Sequence, residues 1–282
     1  MAQNLQLLKR RIKTSKNIAQ IAKALEMIAA SKIKKAQSAS ISNNPYAARI
    51  TDITQKIISS LNEESFSHPY LTKRTEGKKL LIAISPDRGL CGSLNTNLYK
   101  KLMEIDDNNT NAVTVGKKVG LFTSKLSFEL LSSYPMGSTL PDYSIVMQLK
   151  QIIDDEIKAG NASTVSIVYA DFVSLFTQTP IVKQLLPLQF EDRKDSSEQN
   201  TSIYEPGKTD LLKELLPYYL EVQIYNALLQ AFTSEQAAQM VAMQNAKNNA
   251  FDIAQYLNLV YNKSRQERIT NEILDLSNST QI

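Results

Sequence analysis

Tryptophan is absent from this 282-residue chain, and cysteine and histidine each occur once. A single cysteine, Cys91, has no partner for an internal disulfide and cannot build a thiolate cage around a metal, which fits a reducing compartment. The one histidine, His68, stands beside Pro69 and reads as a loop residue, because a metal site needs several convergent donors. No stretch approaches the roughly 18 consecutive apolar residues of a membrane-spanning helix. The longest apolar block, Leu80 to Ile84, is strand-sized, so any association with a membrane would be peripheral. Met1-Ala2-Gln3-Asn4 carries neither the apolar core of a secretory signal nor an Arg- and Ser-rich transit pattern, which predicts a cytoplasmic protein. Glycine is missing from two long stretches, Leu5 to Leu61 and Lys208 to Leu276, each with one proline, Pro45 and Pro217 respectively.

What is present divides into three parts. The first stretch repeats Ile18, Ile21, Leu25 and Ile28 at spacings of three, four and three, the pattern of a narrow coiled-coil seam. Ala19, Ala22, Ala24, Ala29 and Ala30 beside it keep the helix slim, and a kink or fraying is expected around Asn43-Asn44-Pro45. The net charge of +4 conceals an asymmetry. Lys9, Arg10, Arg11, Lys13, Lys16, Lys23, Lys32, Lys34, Lys35 and Arg49 face the single acid Glu26 over the first 49 residues. Such a stretch suits nucleic acid, anionic lipid or an acidic protein surface, and equally an ordinary solvated helix face.

The middle changes character. Leu80-Leu81-Ile82-Ala83-Ile84 reads as a buried strand, followed by the turn Ser85-Pro86-Asp87-Arg88-Gly89 and a helix from Leu94 to Ile105. Val113 to Val115 and Val165 to Tyr169 predict two more strands, with a helix near Tyr143 to Ala159 between them. Strand and helix alternate, which predicts a small Rossmann-like α/β domain with a largely parallel sheet. Asp192 to Ser202 is polar and reads as an exposed loop. Helix returns from Lys208, and seventy helical residues would extend roughly 100 Å at 1.5 Å each. Met240, Ile253, Leu257 and Val260 offer the stripe that the N-terminal seam can meet. The expected class is therefore α/β with long helices. Residues 1–61 and 208–282 pair as an antiparallel two-helix coiled coil around an α/β foot at 62–207, with its exposed loop at 192–202.

Chemistry is hard to find in this sequence. The turn Asp87-Arg88-Gly89-Leu90-Cys91-Gly92 lies where a phosphate loop would sit, but it lacks the lysine of GxxxxGK[ST] and the third glycine of GxGxxG. Cys91 as a nucleophile would need His68, which lies in a loop. Asp106/Asp107 and Asp154/Asp155 are sequence neighbours whose side chains diverge on a helix, as on a solvated surface. No catalytic residue, metal ligand or cofactor-binding residue is expected.

Five segments resemble one family. They are Lys23 to Lys32 (KALEMIAASK), Asp87 to Asn95 (DRGLCGSLN), Thr177-Gln178-Thr179-Pro180 with Gln184-Leu185-Leu186-Pro187, Ser234 to Met243 (SEQAAQMVAM), and Leu259 to Gln266 (LVYNKSRQ). In order, spacing and position they are similar to the bacterial F-type ATP synthase gamma subunits, over nearly the whole chain. The resemblance implies a non-catalytic rotor shaft that couples proton flow to the conformational cycle of the catalytic beta subunits. Its implied partners are a ring of alpha and beta subunits, the epsilon subunit and the c-ring, with no nucleic acid and with membrane association only through the complex. That places it at the cytoplasmic face of the bacterial cell membrane. Carried over by residue, Arg265, Gln266, Thr270, Asn271 and Glu272 match a polar contact with beta; Asn271 stands where the family commonly has Gln. Lys23, Leu25, Met27, Gln239 and Met240 match the coupling region of the shaft, Leu25 replacing a common Met and Gln239 a common Arg. Tyr204 and Glu205 match a segment near the c-ring and epsilon. The rival reading is a basic coiled coil that binds nucleic acid or serves as an adapter. Against it, Met1 to Asn44 holds no aromatic side chain for base stacking.

Overall fold

The structure, a computed structural model, describes residues 2–59, 67–188, 205 and 207–279. Two compact units divide the chain, Met1–Ala30 with Gln239–Ile282, and Ser31–Ala238. Both long helices, α1 (Ala2–Ser59) and α5 (Lys208–Ser279), contribute residues to each unit.

The larger unit is built on a five-stranded sheet of β1 (Lys78–Ile84), β2 (Thr110–Val115), β3 (Glu129–Tyr134), β4 (Ala162–Phe172) and β5 (Gln178–Leu186), in the order β3-β2-β1-β4-β5. Three of its neighbour pairs are parallel and β4–β5 is antiparallel. The crossovers use α2 (Leu94–Glu104), α3 (Lys117–Thr123) and α4 (Tyr143–Lys158). Alternation along β1 explains the layering, since successive side chains point to opposite faces. Leu80, Ile82 and Ile84 join Val146, Leu149 and Ile153 of α4 and Leu220, Ile224 and Phe232 of α5 in one core. Leu81 and Ala83 join Leu98 and Leu102 of α2 and Val119 of α3 in the other. A central strand covered on both faces must be apolar at every position, which is why this block is continuous in the sequence.

The three expected strands and both expected helices are present, along with β3, β5 and α3, which the sequence reading did not single out. β3 is an edge strand with its first three residues exposed, and β5 carries Pro180 and a polar Lys183-Gln184 pair. Neither has the buried apolar run by which the central strands were read. The polar segment 192–202 lies outside the described residues.

Within this unit α1 and α5 run antiparallel: Asn43 Nδ2 donates to Asn226 Oδ1 at 2.7 Å, and Tyr46 meets Tyr218 through their hydroxyls. The helix continues through Pro45 and does not fray there. Pro45 is exposed, as is Ile41, whose carbonyl loses its partner to the proline, so that oxygen can be hydrated. Buried α1 positions, including Ile33, Ala36, Ala47, Ile50, Thr54 and Ile57, keep a spacing of three and four on either side of it.

Among the described residues the smaller unit consists of the N-terminal part of α1 and the C-terminal part of α5, so its buried positions mark where those two parts face each other. On α1 they are Leu8, Ile12, Ala22 and Ala29, with Ser15, Ala19 and Glu26 half-buried between them. On α5 they are Met243, Ala250 and Ala254, with Lys247, Leu257, Tyr261 and Ser264 half-buried. Both rows step by alternating threes and fours, a heptad seam. Of the expected seam, Leu257 lies in this row, and the isoleucines do not. Ile18, Ile21 and Ile28 are 48%, 61% and 52% exposed, and on α5 Ile253 is 52% exposed. The sequence offers two candidate rows one residue apart, and side-chain size favours the isoleucines. Close helix approach favours the alanines instead, and the isoleucines are turned outward.

Candidate functional site

Two places could carry function: the C-terminal edge of the parallel sheet, and the surface of the helix pair. In a doubly wound sheet, ligands bind where the strand order reverses, here between β1 and β4. The turn after β1 is tied instead to the loops that follow β2 and β3. Asp87 Oδ1 accepts the backbone N–H of Lys117 at 2.8 Å and of Met136 at 3.2 Å, and Oδ2 accepts that of Gly137 at 2.9 Å. Ser85 Oγ accepts the N–H of Val119 at 2.9 Å. Gly116 lets the loops close, for at φ +108° a Cβ there would lie 1.9 Å from the Ser85 carbonyl oxygen. The backbone donors that could cradle a phosphate are thus committed to an internal carboxylate, which performs the anion's part in the fold.

Behind this turn, Glu235 of α5 borders a cavity of about 10 Å³, room for one water, lined also by Ile84, Leu94, Leu98, Met136 and Ala231. Burial pushes its carboxyl up to about 7; Asp87 adds to the rise, while Lys32 and Arg88 oppose it. Cys91 is 2% exposed, and burial together with the Glu235 charge raises its thiol, which disfavours the thiolate. Its sulfur accepts from Asn95 Nδ2 at 3.3 Å, not from an imidazole. His68 lies in a loop, where its Nδ1 accepts the N–H of Tyr70. Asp154, expected at a solvated surface, is half-buried and accepts the Tyr70 hydroxyl. Asp106 and Asp107 each accept a backbone N–H, from Ser127 and Asn109. Among the described residues no group of three or more His, Cys, Asp or Glu side chains could hold a metal ion. The chemistry of this edge is that of a tied structural junction.

The smaller unit has the opposite character. The middle of its seam is rich in alanine, while Ile18, Ile21, Met27 and Ile28 of α1 and Phe251, Ile253, Tyr256 and Leu259 of α5 are exposed to between 48% and 70%. Lys9, Arg10, Lys13, Lys16 and Lys23 are exposed among them. Large apolar side chains left in water at this density mark a surface made to be covered.

A profile of the ATP synthase family, described as "ATP synthase", matches residues 4–281. An ATP synthase gamma chain of Dehalococcoides mccartyi (strain CBDB1) is 39% identical over 278 residues, covering 97% of this chain and 96% of that relative. One of Legionella pneumophila (strain Corby) is 34% identical over 264 residues, 91% of each. The chain belongs to the ATP synthase gamma chain family. In fold it is similar to a chain of the Euglena gracilis mitochondrial ATP synthase in its OSCP/F1/c-ring structure, with a TM-score of 0.69 at 20% identity over 100% of this chain and 95% of that one. It likewise resembles a chain of the Tetrahymena thermophila central stalk and c-ring structure, with a TM-score of 0.59 at 23% identity, covering 80% and 99%. As a gamma chain it is a non-catalytic central-stalk subunit of ATP synthase, the catalytic sites lying in the beta subunits.

The residues that resemblance singled out fall into distinct settings. Arg265, Gln266, Thr270, Asn271 and Glu272 are all exposed on α5. Thr270 Oγ1 donates back to the Gln266 carbonyl at 3.0 Å, and Glu272 accepts from Arg268 Nε at 2.7 Å. Lys23 and Met27 are exposed, Leu25, Gln239 and Met240 half-buried. Glu205 is exposed, and Tyr204 lies outside the described residues. Sequence reasoning missed Asp87 as the knot of the sheet edge because its donors lie 30, 49 and 50 residues downstream. It missed Glu235 because nothing local distinguishes a buried carboxylate from a solvated one. No helix among the described residues is long and apolar enough to cross a membrane.

Proposed function

We propose that this gamma chain transmits rotation by seating the outer parts of α1 and α5 within a ring of alpha and beta subunits. The observation that carries this reading is the inversion in the smaller unit, where alanines fill the middle of the seam and many large apolar side chains face outward. A helix pair of that kind is completed by a surrounding sleeve, and the lysines along α1 suit acidic loops in it. In this reading Arg265, Gln266, Thr270, Asn271 and Glu272 form a polar contact with beta. Lys23, Leu25, Met27, Gln239 and Met240 belong to the surface that couples rotation to beta. Each face of the turning shaft stabilises a different beta conformation, so mechanical work passes as a population shift driven by differences in contact. The foot, residues 62–207, meets the c-ring and the epsilon subunit, with Tyr204 and Glu205 in that contact. The assembly places the chain peripherally at the cytoplasmic face of a bacterial membrane.

Co-expression with alpha and beta subunits tests the reading. The expected result is a hexamer that retains one copy of this chain and has ATPase activity dependent on it. A hexamer equally active without the chain, or turnover by the purified chain alone, would refute it. Deleting Arg265 to Ile282 is expected to lower coupling while the sheet unit keeps its cooperative unfolding.

A further inference from the structure

A seam of alanines holds two helices close but specifies their alignment poorly. Ala19, Ala22 and Ala29 of α1 and Ala250 and Ala254 of α5 are similar in shape, so sliding or rolling one helix along the other loses few distinctive contacts. Within this alanine-rich stretch, which is bounded by larger seam residues (Leu8 and Ile12 of α1 with Leu257 and Tyr261 of α5 at one end, Met243 at the other), one pair of positions carries charge. Glu26 and Lys247 each occupy a step of the heptad rows that would ordinarily be apolar, and Lys247 Nζ lies 2.8 Å from Glu26 Oε2. Their side chains are 20% and 29% exposed, far less than those of the other intrahelical or surface ion pairs such as Arg268–Glu272 at 44% and 57%. Neither charge can be turned to a different seam neighbour without meeting an alanine or a methionine.

We infer that Glu26 and Lys247 are positioning residues that pin the register and rotational phase of the helix pair. A polar group at one seam position fixes alignment because every misaligned arrangement leaves a half-buried charge without its partner. Function follows from phase. Rolling α1 by one residue would draw Ile18, Ile21 and Ile28 toward the seam and remove them from the outer surface. The pair therefore determines which side chains the stalk presents as it turns, a role no amount of seam packing among alanines could supply.

The test uses the full chain with cysteines at Ala22 and Ala250, the next seam step beyond the ion pair on each helix. Disulfide formation between them is expected to slow about threefold in Glu26→Gln and in Lys247→Gln, the scale of one exposed-to-half-buried ion pair. The exchange Glu26→Lys with Lys247→Glu is expected to restore it, as charge complementarity in either direction fixes the same alignment. Unchanged crosslinking in both single variants, or an exchange no better than the singles, would overturn the inference. ATP-driven proton pumping by the reconstituted complex is the second readout, with loss in each single variant and recovery in the exchange. Only this second readout rests on the proposed seating of the helix pair in the ring. Recovered crosslinking without recovered pumping would therefore count against that seating and leave the pin standing, whereas crosslinking that ignores the charges would count against the pin alone.

Discussion

The same two helices are buried in opposite ways in the two units. In the larger unit α5 turns Leu212, Leu216, Leu220, Ile224 and Phe232 into a core shared with β1, β4 and α4, each at 1% exposure or less. In the smaller unit the same helix turns Phe251, Ile253, Tyr256 and Leu259 outward and keeps Ala250 and Ala254 inside. Removing large apolar surface from water is the main source of folding free energy, so the larger unit carries its stability within itself. The smaller unit leaves much of that free energy to be recovered by association. Stability and function are thereby separated along a single helix.

Phe232 lies fully buried in the core of the larger unit. Phe232→Ala leaves a cavity in the sheet unit and is expected to destabilise it by about 3–5 kcal/mol, read as a lower urea midpoint. A loss comparable to that of an exposed residue would mean that the core is not shared between α5 and the sheet.

Glu235 sharpens the same contrast through pH. Its carboxyl is raised to about 7, against about 4.3 for glutamate in an unfolded chain. The folded state therefore holds a proton that the unfolded state releases between those values. The stabilising contribution is complete below about pH 4.3, falls as pH rises through about 7, and is flat above it. In Glu235→Gln the side chain stays neutral throughout, so the variant is expected to gain on the parent by about 3–4 kcal/mol between pH 4 and 8. Subtracting the two urea series cancels the other carboxylates, and a difference that does not change with pH would remove Glu235 from the account.

Gly116 should behave as a third core element despite having no side chain. Gly116→Ala meets both the Ser85 carbonyl and an unfavourable φ, and is expected to lose about 1–3 kcal/mol, measured in the same way. Its neighbour in sequence, Lys117, is exposed, and Lys117→Ala leaves intact the backbone N–H that Asp87 accepts. That variant serves as the control.

How far the sequence foretold this arrangement follows the same division. Leu80 to Ile84, Val113 to Val115 and Val165 to Tyr169 were legible as strands because doubly covered strands are rich in β-branched and other apolar residues. β3 was not, since its Glu129-Leu130-Leu131 opening lies exposed on a sheet edge and carries no buried pattern. The long helices were legible from missing glycine, and their pairing from the three-and-four repeat. Their phase was not, because the signal weighed size, and in the middle of this seam alanines lie inside and isoleucines outside. Asp87 stands at the head of the DRGLCGSLN segment, yet its meaning depends on N–H groups from two distant loops. The charges at Glu26 and Lys247 gave no sign of belonging together, being 221 residues apart.

The smallest expected change in stability belongs to Leu259, and it carries the most information about the outer surface. At 70% exposure its removal strips little buried area, so Leu259→Ala should shift the unfolding free energy of the isolated chain by no more than about 0.5 kcal/mol. If an alpha and beta sleeve covers that side chain, the same substitution should cost about 1–2 kcal/mol of assembly, or roughly ten-fold in the concentration needed to saturate the hexamer. Ala254→Leu reverses the logic, since a large residue in the narrow seam overpacks the helix pair and should destabilise the isolated chain by about 1–3 kcal/mol. A helix pair built around an inward core would give the opposite ranking, with Leu259→Ala costly and Ala254→Leu tolerated, because burial alone decides which methyl groups the fold depends on.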